Sequence, residues 1–154
     1  MRLWRIGDPA GEYAVWSGAG AARFPGRWNA DGDAVIYAAQ SFPLAMLEKL
    51  AHWNGELPPN QHFVMAEVPA GVGYEVFQPA ATPDWASETA VSARAFGAAW
   101  LRAGRSLLLE VPSVLAQGEG MERNVLVNPA HPEAGRIVPG RETPVWWDER
   151  LLRR

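Results

Sequence analysis

Fifteen glycines and thirteen prolines are dispersed along 154 residues, and nowhere do they gather into a linker. Both residue types interrupt regular structure, so this spread predicts many short elements joined by tight turns. It also leaves no interval that reads as a domain boundary. A chain of this length buries roughly 70% of its unfolded surface as one unit. No internal repeat, low-complexity tract or long block of like charge points elsewhere.

The missing residue types narrow the chemistry. Without cysteine there are no disulfides, thiolate nucleophiles or cysteine-based zinc sites. Fourteen Lys and Arg against seventeen Asp and Glu leave a net charge of −3. The overall basic field that drives sequence-independent nucleic-acid binding is therefore absent, and we expect no direct nucleic-acid partner. No apolar run approaches the ~18 residues that span a bilayer, and the opening Met-Arg-Leu-Trp-Arg has no apolar signal core. The expectation is a cytoplasmic protein without a membrane partner, whose chemistry rests on Arg, Glu, Ser, Tyr, Asn and three His.

Alternating or short apolar runs predict strands over 3–6, 33–38, 62–68, 74–77, 106–111, 124–127 and 136–138. On the second of these, Val35 and Tyr37 face one side and Ile36 the other. The stretch through Gly18, Gly20, Pro25 and Gly26 reads as a loop able to wrap a ligand, and 79–84 as another loop. Ser41 is an N-cap for a helix over 42–53, with Leu44, Leu47, Leu50 and Ala51 at helical spacing and Asn54-Gly55 as the stop. A second helix runs from 87 or 88 to 103, its stripe being Ala93, Phe96, Gly97, Trp100 and Leu101, and Gly104 ends it. Strands outnumber helices without regular alternation, which favours a mixed α+β domain over a doubly wound parallel sheet.

Gly18-Ala19-Gly20-Ala21-Ala22-Arg23 puts Arg where a dinucleotide fingerprint needs its third Gly, and no βαβ unit surrounds it. Nucleophile elbow, Walker loop and zincin motifs are also missing. Glu48 and His52 stand one helical turn apart, but no third ligand is in view and no metal is assigned. In Gly26-Arg27-Trp28-Asn29 a guanidinium sits between a glycine and an indole, either as a fork for paired anionic oxygens or as a surface arginine packed on Trp28. Glu48 borders the apolar stripe of its helix, so its carboxylate is half shielded and suited to charge work or to pairing with His52 or an arginine. Ser113 follows Pro112, where a hydroxyl caps a turn or bonds a ligand. Tyr37 ordinarily packs in the core, Asn124 and Asn128 flank a strand, and the eight tryptophans suit core or interface.

Taken together, Gly-Arg-Trp-Asn at 26–29, Val-Ile-Tyr-Ala-Ala at 35–39, Leu-Ala-Met-Leu-Glu at 44–48, Val-Pro-Ser at 111–113 and Asn-Val-Leu-Val-Asn-Pro-Ala-His-Pro at 124–132 resemble the RES domain family, in order and over nearly the whole chain. The resemblance implies a fold similar to ADP-ribosyltransferase catalytic domains. It carries the family's Arg, Glu and Ser onto Arg27, Glu48 and Ser113, with Arg5, Tyr37 and Asn124 as further pocket residues. It implies an NAD+-cleaving toxin using water or phosphate as acceptor, NAD+ being substrate and not cofactor, with an Xre-type antitoxin as partner. Transfer of ADP-ribose to a protein and a silent antitoxin-binding module are the alternatives, and homodimerisation is left open. One departure is Pro25, where the family often has a second glycine before the Arg.

Overall fold

The computed structural model describes residues 1–153. Its strands are β1 (Arg2–Gly7), β2 (Ile36–Ala39), β3 (His62–Glu67), β4 (Tyr74–Val76), β5 (Leu108–Pro112), β6 (Arg123–Val127) and β7 (Thr143–Pro144). They form one sheet in the order β4-β5-β6-β2-β1-β3-β7, in which β4 and β5 are parallel and all other neighbours antiparallel. With helices α1 (Ala19–Arg23), α2 (Phe42–Ala51) and α3 (Val91–Ala103), this is the mixed α+β arrangement that the irregular element order predicts.

Alternation along the central strands divides the core. Leu108, Val125, Val127 and Ile36 pack on one face with Leu3 and Ala66. Leu109, Val111, Leu126 and Val35 pack on the other, against Trp28, Phe77, Trp85 and Trp100. Val35 and Tyr37 thus part from Ile36 as the period of two requires. A third cluster joins Ile6 and Ala39 to Leu44 and Ala45 of α2. Ser41 caps that helix by accepting the Leu44 N–H at 3.2 Å, and Pro43 lies in the first turn, where its missing donor is not needed.

Several expectations are corrected. The glycine-rich loop contains α1, which has no buried residue and so lacks an apolar period to signal it. The strand expected from 33 begins at Ile36, because the Asp33 carbonyl is taken by the Asn29 side chain at 3.0 Å. On α2, Leu44 and Ala45 are buried while Leu47 and Ala51 face solvent. The small Ala45 lets the helix seat its N-terminal half on Ile6 and Ala39, and this rotates the expected stripe. The second helix starts at Val91, since Ala90 takes a left-handed conformation (φ 54°) that breaks helical register before it. Phe96 of its stripe stays partly exposed, edge-on to Phe77. The strand expected over 136–138 is a 3-10 turn, Ala134–Arg136, and the chain then touches the sheet through a single bridge between Ala66 and Pro139. Two-residue β7, with a proline at the sheet edge, is too short for any alternation to announce.

Gly97 is where α3 meets the loop that carries Arg27. A Cβ there would lie 1.7 Å from the Trp28 carbonyl oxygen, a backbone atom that cannot rotate away. Gly97→Ala should therefore cost at least ~1–3 kcal/mol by overpacking, read as a lowered urea midpoint; an unchanged midpoint would show that helix and loop do not hold this approach.

Candidate active site

Strand register assembles the first wall. Asn124 on β6 pairs with Ala39 on β2 and with Val111 on β5. Ser113 follows β5, and α2 leaves β2 after a short turn, so three chain segments converge at one end of the sheet. There Glu48 Oε1 accepts two hydrogen bonds, from Ser113 Oγ at 2.7 Å and from Asn124 Nδ2 at 2.6 Å. Oε2 has no partner among the described residues. One oxygen is fastened and the other is open. Ser113 is buried and also accepts the Leu115 N–H at 3.0 Å, so it caps a turn and holds the carboxylate at once. His52, one turn on from Glu48, donates from Nδ1 to the Glu48 backbone carbonyl, 2.7 Å away.

The second wall is the loop around Arg27, organised by a residue to which sequence reading gave no role. Asn29 is fully buried. Its Nδ2 donates to the carbonyls of Ala21, Ala30 and Asp33, and its Oδ1 accepts from the Gly26 N–H at 2.8 Å and the Tyr37 hydroxyl at 2.6 Å. The same Tyr37 oxygen accepts the Trp28 N–H at 3.0 Å. Tyr37 therefore latches the loop to β2. A Cβ on Gly26 would stand 2.8 Å from that hydroxyl, so the latch needs glycine. Pro25 is exposed and the Gly26 N–H is spent inside the loop. The only signal for Asn29 lay in its place within the turn-rich Asn29-Ala30-Asp31-Gly32.

Both walls face a cavity of about 690 Å³ lined by Arg5, Arg27, Tyr37, Glu48 and Asn124; Ser113 stands behind Glu48. Two cations that sequence reading did not single out, Lys49 and Arg94, line it too. A lone Arg on a helix reads as a solvated side chain, which is why Arg94 gave no signal. The three arginines are oriented by backbone carbonyls: Arg5 by Val15 and Tyr37, Arg27 by Trp85 and Ser87, Arg94 by Asn29. None has a carboxylate oxygen within 4.0 Å among the described residues. In a chain of net charge −3, the cavity gathers four cationic side chains against the carboxylates of Glu48 and Glu88, a field suited to an anionic ligand.

Burial shapes the titration of this wall. Arg5 is pulled down to about 10, chiefly because burial penalises its charge, and it remains protonated at neutral pH. Lys49 is lowered by burial and then by the neighbouring Arg5. Tyr37 is pushed up to about 12 by burial, which outweighs the opposing pull of the Trp28 N–H and of Arg94, Arg5 and Arg27.

The geometry defines the class, an α+β protein with an open carboxylate and a cationic wall facing one cleft. The chain belongs to the RES domain family, whose model matches residues 2–148. Among similar proteins, the Prs ADP-ribosylating toxin of Sphingobium sp. (strain YBL2) is 42% identical, the match covering 99% of this chain and 97% of that one. Toxin Res of Pseudomonas putida is 37% identical over 87% of this chain and 88% of its own. In the crystal structure of the M. tuberculosis MbcT-MbcA toxin-antitoxin complex, one chain shares the fold with a TM-score of 0.68 at 18% identity, covering 92% of this chain and 82% of that one.

The latch is checked spectroscopically. Subtracting the phenolate titration of Tyr37→Phe from that of the parent should isolate a tyrosine that ionises near pH 12. A missing signal centred near the ordinary value of 10 would mean that Tyr37 is not buried as described. The same variant leaves the Trp28 N–H and Asn29 Oδ1 each short of a partner and should lose ~1–3 kcal/mol of stability.

Proposed function

We propose that this chain is the toxin of a toxin-antitoxin pair and that it breaks the bond between nicotinamide and ribose in NAD+. The observation that carries this reading is the fastened carboxylate of Glu48 with one oxygen open, in the same cavity as three arginines that have no carboxylate oxygen within 4.0 Å among the described residues. NAD+ is an anion through its diphosphate, and its nicotinamide is a pyridinium. When the C1′–N bond breaks, its electron pair returns to the ring nitrogen, so the leaving group departs neutral and needs no general acid. Positive charge develops on the ribose instead, as in glycoside cleavage. A preorganised anion beside that carbon stabilises the transition state more than the ground state.

Glu48 Oε2 is the atom assigned to this work. Ser113 and Asn124 keep the carboxylate aimed, and thereby act as positioning residues. An acceptor with an O–H attacks C1′ and loses its proton, for which the same carboxylate is the nearest base. Arg27 and Arg5 hold the diphosphate, so that binding energy from the remote end of the substrate fixes the reacting carbon. The Tyr37 hydroxyl is committed to the loop, leaving its ring as the part that meets the substrate. Water or phosphate is the simplest acceptor. Transfer to a protein is the second reading, favoured by the relative whose name states that it ADP-ribosylates Prs. An antitoxin partner is supported by the relatives named as toxins and by the complex in which the shared fold occurs; an Xre-type partner rests on the family resemblance.

Proton NMR of NAD+ incubated with the protein, with and without phosphate, tests the bond and the acceptor together. Free nicotinamide should accumulate, and Glu48→Gln should slow its release by roughly 10²-fold or more. Intact NAD+ after prolonged incubation, alone and with cell lysate, would refute the reading. Label from NAD+ retained on a protein band in the lysate would select transfer over hydrolysis or phosphorolysis.

A further inference from the structure

We propose that Arg94 is a third diphosphate-binding residue, closing from α3 a cradle that Arg27 and Arg5 form from the loop and β1. This rests on the reading of the cavity as an NAD+ site and adds a residue that neither the sequence motifs nor the comparisons assign.

Arg94 lies one turn into α3, and its side chain reaches the cavity. Its Nε donates to the Asn29 carbonyl at 3.2 Å, and one Nη2 contact to the Gly26 carbonyl is long, at 3.5 Å. Nη1 has no partner among the described residues. Two carbonyls therefore set the plane of the guanidinium and leave donors facing the cavity. No carboxylate neutralises it within 4.0 Å among the described residues. A strut whose only task was to tie α3 to the loop would gain nothing from a charge left unpaired in a partly buried place, where desolvation counts against it. A phosphate oxygen supplies the missing counter-charge and accepts the free N–H groups in the geometry that guanidinium favours.

The placement adds a second reason. Arg94 and Arg27 both tie the 26–29 segment to α3 and the chain leading into it: Arg94 bonds the Asn29 carbonyl, while Arg27 bonds the carbonyls of Trp85 and Ser87. Arg5 bonds the Tyr37 carbonyl, and Arg94 bonds carbonyls on either side of Arg27 in the chain, at Gly26 and Asn29, so the three line one stretch of the cavity wall. A diphosphate carries two negative charges on a short bridge, and three converging guanidiniums match it better than one fork. Lys49, the fourth cation lining the cavity, follows Glu48 on α2.

The test is calorimetric titration of ADP-ribose into the parent, Arg94→Gln and Arg94→Lys over a series of salt concentrations. Glutamine retains an N–H for the Asn29 carbonyl but carries no charge. At low salt Arg94→Gln should bind ADP-ribose on the order of 10- to 100-fold more weakly. The deficit should shrink as salt screens the lost attraction. Arg94→Lys should recover part of the affinity. Arg94→Gln binding as tightly as the parent would overturn the inference, and so would a deficit that is constant with salt and equal in both variants, the mark of a strut. A parent that binds ADP-ribose with Arg94 dependence yet leaves NAD+ intact would keep Arg94 in the cradle and sink the catalytic reading instead.

Discussion

The cationic wall depends on one buried carboxamide. Asn29 uses both ends of its side chain to close the 21–33 segment on itself, and through Tyr37 it ties that segment to the centre of the sheet. The loop has no ladder bonds to hold it. Each polar group in this knot would cost ~1–3 kcal/mol if left unpaired in the interior, so the knot closes in one arrangement or the loop loses its shape. Gly97 completes the restraint from the far side by letting α3 rest against the Trp28 backbone. The backbone that carries Arg27 is therefore set by this knot and by α3, while the guanidinium itself is oriented by the Trp85 and Ser87 carbonyls.

The carboxylate wall is built by different means. Register between β2, β6 and β5 delivers Asn124, and the ends of those strands deliver Ser113 and the helix bearing Glu48. Ladder bonds, unlike a loop knot, are distributed over many residues, and the partners that hold Glu48 stand on or beside those strands. The two walls share the sheet as a common frame, and α2 contributes to both through Glu48 and Lys49. A site of this kind holds opposite charges in one cleft without letting them neutralise each other, because each is occupied by donors or carbonyls of its own wall.

Much of this was legible in the residue order. Ser41 and the alternation of Val35, Ile36 and Tyr37 specify local structure directly, since capping and strand periodicity are properties of neighbours in sequence. The family resemblance named Arg5, Arg27, Tyr37, Glu48 and Asn124, which line one cavity, and Ser113, which stands behind Glu48. What stayed hidden is what depends on distant contacts. The buried side of α2 was misjudged because Ala45, a weak hydrophobe by composition, is the residue that fits against Ile6 and Ala39. Arg94 carries no local mark, and Asn29 only that of a turn and a motif neighbour, since a helix arginine and a turn asparagine look the same whether they face water or a cleft. The left-handed Ala90 is likewise set by the turns before it and by nothing in its own side chain.

Guanidiniums steered by backbone oxygens retain their full formal charge, and this has a practical side. Peptide carbonyls orient a cation but cannot discharge it, so the cleft behaves as an ion exchanger with a fixed shape. Small oxyanions in the surrounding medium are drawn to such a field. Sulfate or phosphate chosen casually as a buffer would then be a reagent in the experiment and not a background.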